Sequence, residues 1–514
     1  MRNRKVNNIK EYLQRTINII LLFLFVWIIV ALCIANKIDY AGKVNWKIGN
    51  IGLIIASLLI IYLYCKKVKE RTFQKINMDR LVLVATIVLF FVEIYICYNI
   101  FFETGWDSGA YIIPATRTLL GKADVTSMNE VYFKTYPNNL FLVHIYYALL
   151  RINEKLGIFT GAYQLMVIIV FNCAISSMSC WMIYAIARKH VSIKYSLSGY
   201  ILAVALLGIS PWNVICYSDE IALFFPIFVI YIYTEERINI YVKSFIILVT
   251  GYLGYCIKPQ VAIVIIAIVI AELLKTIHKY EKPFWIKEGV VVVCSVALIA
   301  VIAGGLNNLY NTEGFEQDKN RQFGLTHFFM MGLNPERGGV WSEEDVAISG
   351  SCKTAEERTK TNLEVSKQRL KDYGIAGYAK FLTKKMLTNY NNGTYAWGGE
   401  GNFYAVVPEN NSRMSHFLKN IYYNDGKYYG IYSQIVQLLW VMVLVGVGIS
   451  SILGLKRKPY QSNIQLILKL CIIGITLFEL LFEARARYLY LYVPVYILLF
   501  VLNGDCLEGY LKKK

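Results

Sequence analysis

Trp106 and Asp107 stand at one end of the long apolar stretch 81–102, and Ser108 and Gly109 follow at once. A carboxylate beside an apolar run of membrane length is costly unless it faces a polar cavity or headgroup water, which makes Asp107 the first candidate for chemistry. Three further sites place charge at the same level. Ser218-Asp219-Glu220 opens the apolar stretch 219–234, Lys258-Pro259-Gln260 joins two others, and Glu483, Arg485 and Arg487 precede Tyr488 at the start of the last. In the loop of Asp107, Lys134-Thr135-Tyr136-Pro137-Asn138-Asn139 adds a cation and several polar side chains. Cations on separate spans, reaching one side together with acids on others, resemble an anion site with a base beside it.

Each of these residues also has a plainer reading. Asp107, Asn139 and Asp219 stand where helix caps are expected, although Pro114 delays the regular helix after Asp107. Lys258, Arg485 and Arg487 can reach to lipid headgroups as membrane-interface cations do. His327, in Thr326-His327-Phe328-Phe329-Met330-Met331-Gly332, could touch substrate or simply pack.

Location selects the chemistry. Nucleotide sugars and ATP are cytoplasmic, so a transferase working outside needs a donor that crosses with its lipid, such as a polyprenyl-phosphate sugar. Fixed Lys and Arg in a dry site can stabilise the negative charge growing on the leaving phosphate. A carboxylate within hydrogen-bond reach can take the proton of the acceptor hydroxyl.

The elements that must position these residues are membrane spans. The chain has 514 residues, 56% hydrophobic and 14% aromatic. Its apolar stretches near 20 residues read as helices of an all-α polytopic membrane protein. Twelve are expected: 17–35, 48–65, 81–102, 161–187, 196–210, 219–234, 244–257, 260–274, 288–304, 431–454, 464–482 and 486–502. The first, after the basic Met1–Arg15, is too long for a signal segment and reads as a retained helix. Segment 139–152 is short and ends in Arg151, so it is expected to lie along the surface.

The net charge of +18 gathers in the loops around 66–80, 188–194, 275–287 and 456–458 and in Lys512, Lys513 and Lys514. Short basic loops mark the cytoplasmic side and speak against nucleic acid as the partner. With these loops inside, residues 103–160 and 305–430 fall outside, the latter long enough for a mixed, irregular domain of its own. The division is then 1–80, two amino-terminal spans; 81–304, a core carrying the loop 103–160; 305–430, an extracytoplasmic domain; and 431–514, the carboxy-terminal spans. The 11 cysteines and 5 histidines show no metal-binding spacing, so no metal ligand is assigned and a divalent ion stays an open possibility.

The set Trp106-Asp107-Ser108-Gly109, Tyr136-Pro137-Asn138-Asn139, Tyr217-Ser218-Asp219, Lys258-Pro259 and Ala486-Arg487-Tyr488 resembles the GT-C superfamily of membrane glycosyltransferases, nearest the bacterial relatives of protein O-mannosyltransferases and aminoarabinose transferases. The resemblance implies a GT-C-like fold with a helical layer on the outer face. It also implies inverting transfer from a polyprenyl-phosphate sugar to an envelope glycan, lipid or protein, with Asp107 as base. On that pattern Lys258 and Arg487, joined by Arg485 and Lys134, would attend the donor phosphate, and Asp219, Tyr136, Asn138 and His327 the sugar or acceptor.

The chain departs from the protein mannosyltransferases in carrying Asp107-Ser108 where they carry Asp-Glu. It also adds two amino-terminal spans and the large late segment, so the acceptor does not carry over. Two rivals share many features: a transporter or flippase of lipid-linked sugars, and a polymerase of whole repeat units. A transporter should place paired charges and broken helices near the bilayer midplane, whereas here most ionisable residues sit at the outer rim, Glu93 being the main exception.

Overall fold

The computed structural model describes residues 2–35, 48–73, 76–276, 282–401, 403–456 and 462–513. Lys514 and parts of the basic loops 66–80, 275–287 and 456–458 lie outside the described residues. The chain is all-α. Each of the twelve apolar stretches is built of helical segments, and the sheet among the described residues is one antiparallel pair, Glu103–Thr104 with Tyr404–Val406.

Among the described residues, nine helical stretches are long and apolar enough to cross a bilayer. Three of the expected spans are shorter: Ile193–Gly208, Ser218–Thr234 and Pro259–Leu274. Each begins or ends beside the polar residues of interest, at Ser210, Ser218 or Lys258, so the span gives up length where the chain turns into the site. Helix Met166–Arg188 is the central post, packing on Met78–Asn99, Ile193–Ala203 and Ser218–Thr234. Helix Tyr429–Lys456 lies against both Arg2–Ile34 and Asn50–Lys67, which ties the amino-terminal pair to the rest.

In lipid, apolar burial does not favour protein over bilayer contacts, so packing and internal hydrogen bonds must hold the bundle. Tyr390 illustrates this. Its hydroxyl lies 2.7 Å from both Thr476 Oγ1 and the Tyr496 hydroxyl, and these three fully buried side chains join three separate segments.

A layer of shorter helices covers the polar end of the bundle. Segment 139–152, after Asn139, lies within helix Leu140–Leu156, which buries Leu140, Leu142, Val143, Tyr146 and Leu150 and closes on Gly157 in the left-handed region (φ 63°). Ser342, Thr354 and Ser412 accept backbone N–H bonds and so start the helices Glu343–Ser351, Ala355–Tyr390 and Arg413–Tyr422. Helix Ala355–Tyr390 is interrupted at Gly374, whose φ of 55° a side chain would oppose. Beyond that break the chain dives inward. Lys385, Met386, Tyr390 and Trp397 are buried against the spans, so this part of the segment returns to the core.

Candidate functional site

The first loop delivers Asp107 at the start of a wide helical turn, Ser108–Ile112. Ser108 Oγ fastens that turn by donating to the Cys216 carbonyl at 2.5 Å. Gly109 lets it form, because a Cβ there would lie 1.7 Å from the Thr104 carbonyl oxygen. The Asp107 side chain makes no capping bond; instead the Tyr217 hydroxyl donates to its Oδ2 at 3.4 Å. Trp106 meets the Tyr217 ring edge-on, with centroids 4.6 Å apart.

The other expected caps also fail to form. Asn139 makes no cap bond and donates to the Tyr132 hydroxyl at 2.8 Å. Asp219 pairs with the Lys258 ammonium. Lys258 is 5% exposed and Arg487 6%, so neither reaches out to headgroups as an interfacial anchor would.

These ions form one buried network. Arg487 lies 3.6 Å from Asp219 and 3.1 Å from Glu400; Arg485 lies 3.1 Å from Glu400 and 2.7 Å from Glu483. Three cations thus face three carboxylates, the balance that buried charges require. The fit is incomplete. Arg487 Nε and both Glu400 oxygens are buried without an aligned hydrogen bond despite their proximity. The Arg487 guanidinium stacks over Trp106 at 4.4 Å and Tyr217 at 5.3 Å, which links it through Tyr217 to Asp107.

Two cavities meet at this network. The larger, about 870 Å³, is lined by Asp107, Tyr136, Asn138, Tyr217, Arg485 and Arg487 and reaches the outer layer at Asn320, Trp341 and Lys353. The smaller, about 320 Å³, is lined by Lys258 together with Tyr255, Ile257, Phe478 and Phe482. Asn138, Tyr217, Glu483 and Tyr488 border both. These volumes suit small-molecule sites, with a few placed polar groups among apolar and aromatic walls.

The structure therefore brings together Asp107, Tyr136, Asn138, Arg485 and Arg487, with Lys258 in the adjoining chamber. Asp219 stands behind the wall, 3% exposed, as the acid that holds Lys258. Lys134 pairs with Glu130 one turn back and lines neither cavity. His327 is fully buried between Phe323 and Phe328 with Nδ1 2.7 Å from Ser349 Oγ, so it is a packing residue in this structure. Burial pushes its imidazole down to about 4 and keeps it neutral.

Two contributors escaped the sequence reading. Glu400 comes from the turn Trp397–Gly401, and its only sequence signal is an acid among glycines after a tryptophan. Lys385 donates to the carbonyls of Gly332, Leu480 and Phe482 at 2.6–2.9 Å. It thereby clamps the segment that carries Glu483, Arg485 and Arg487. Burial pushes the Lys385 ammonium down to about 7, against the pull of Glu479 and Glu483. Burial likewise raises the Glu483 carboxyl, but Arg485 and Arg487 outweigh it and hold the group below its usual range. Among the described residues no group of three His, Cys, Asp or Glu is placed to hold a metal ion.

A bundle of apolar helices over a buried ionic site defines an all-α integral membrane protein. The chain belongs to the family described as conserved hypothetical integral membrane protein, whose model matches residues 7–506. No curated protein and no solved structure matches it.

Proposed function

We propose that this integral membrane protein transfers a sugar from a polyprenyl-phosphate donor to an acceptor hydroxyl of an envelope glycan, lipid or protein at the outer membrane face. The observation that carries the proposal is the placement of Asp107, free of any cap, in one cavity with Arg485 and Arg487 and next to the chamber of Lys258. The acceptor oxygen attacks the anomeric carbon and gives its proton to Asp107. The bond from that carbon to the phosphate oxygen breaks, the configuration inverts, and polyprenyl phosphate leaves with the electron pair. Charge growing on that oxygen is met by cations already fixed by Asp219, Glu400 and Glu483, which need no reorganisation to respond. The apolar walls of the smaller chamber suit the lipid end of the donor, and the larger one the acceptor.

A transporter of the same lipid-linked sugar is the second reading, favoured by Glu93 and Glu220, buried acids with oxygens that lack partners. Purified protein in proteoliposomes supplied with radiolabelled polyprenyl-phosphate sugars and a crude envelope acceptor fraction separates the two. Transferase action releases polyprenyl phosphate in step with a new glycosidic product. Label that changes leaflet with its phosphate bond intact would establish the transporter and overturn the transferase.

A further inference from the structure

The larger cavity runs from the half-buried Asp107 to an exposed mouth built by residues of the outer layer. At that mouth stands Trp341, 44% exposed, with Asn320, Ser351 and Lys353 also exposed around it and Asp318 beside them. An indole left open at the rim of a polar cavity offers an apolar face, and the surrounding amide, hydroxyl, ammonium and carboxylate groups offer both donors and acceptors. A pyranose ring has the matching surface: one face of C–H groups, with hydroxyls around its edge.

The alternatives fit the mouth less well. A lipid acceptor needs a continuous apolar path, whereas the larger cavity sets Asp318, Asn320, Arg321 and Lys353 among its apolar side chains Phe323 and Phe328. A peptide held by strand addition needs a free strand edge to pair with. The strands among the described residues, Glu103–Thr104 and Tyr404–Val406, pair with each other and do not line the cavity.

Resting on the transferase reading above, we infer that the acceptor is a water-borne saccharide whose terminal residues stack on Trp341 and whose reacting hydroxyl reaches inward to Asp107. Trp341 is then a specificity-determining residue for the acceptor and makes no contribution to donor binding.

The test uses full-length protein in nanodiscs and reads binding, so that it stands apart from any assay of transfer. Maltopentaose, chitopentaose and mannopentaose are titrated and followed by saturation-transfer NMR, with a Ser/Thr-rich hexapeptide and phosphatidylglycerol vesicles as the competing classes. At least one saccharide is expected to bind the wild-type protein. Trp341→Ala is expected to weaken that binding by about tenfold or more, and Trp341→Tyr to restore most of it. The inference is overturned if no saccharide binds, if Trp341→Ala binds like wild type, or if the peptide or the vesicles displace the sugar. A saccharide held at Trp341 by a protein that transfers nothing from any polyprenyl-phosphate donor would sink the transferase reading and leave the glycan site standing.

Discussion

At the scale of single residues, the uncapped side chain of Asp107 matters most. A carboxylate at the head of a helical turn ordinarily spends itself on backbone N–H groups, and here it does not. The arginines differ from what the sequence suggests, since each is already held by carboxylates; removing one would leave three buried carboxylates facing two cations. Such a change costs about 3–5 kcal/mol, so charge-removing variants report on folding before function. His327 yields a test free of that problem. Its folded value near 4 lies below the ordinary 6.5, so the unfolded chain binds more protons between those values. Stability should therefore fall as the pH drops from 6.5 toward 4 and level off below, by about 3 kcal/mol at most. Thermal unfolding in detergent across that range reads the slope, and His327→Phe should flatten it; an unchanged slope would assign the effect elsewhere.

At the scale of elements, the turn after Trp106 and the segment 482–487 do the positioning. Gly109 is required by contact, with the Thr104 carbonyl where a Cβ would sit, whereas a Cβ at Gly121 would meet its nearest atom at an ordinary 3.6 Å. Gly109→Ala should lower stability by about 1–3 kcal/mol and cut transfer further than that loss explains, because the turn presenting Asp107 must shift. Gly121→Ala should leave transfer near wild type, and equal behaviour of the two variants would count against the turn as a positioning device. Much of this was legible in the sequence. Apolar length located all twelve helical stretches, and the dipeptides at Asp107, Lys258 and Arg487 lie at their ends. Glu400 and Lys385 were not legible, because a polar residue in a long irregular segment carries no periodicity to show that the segment returns to the core. The caps expected at Asp107, Asn139 and Asp219 failed for a related reason: tertiary partners, Tyr217, Tyr132 and Lys258, claim those side chains.

At the scale of the whole molecule, the bundle sets a polar layer on one end and basic loops on the other. The orientation that puts those basic loops inside is testable in intact cells. Single cysteines at the exposed positions Lys122 and Glu343 should react with a membrane-impermeant maleimide, and those at Lys69 and Lys189 should not. The opposite pattern would move the cavity to the cytoplasm, where lipid-linked donors lose their special rationale.

The transfer rate of Asp107→Asn, measured with a polyprenyl-phosphate sugar that wild type turns over, bears most directly on the chemistry proposed for the cavity. The amide keeps the shape of the carboxylate and cannot take the acceptor proton. Transfer should fall by a factor on the order of a hundred to ten thousand while donor binding and thermal stability stay near wild type. Transfer at the wild-type rate by a well-folded Asp107→Asn protein would contradict the assignment of Asp107 as the base.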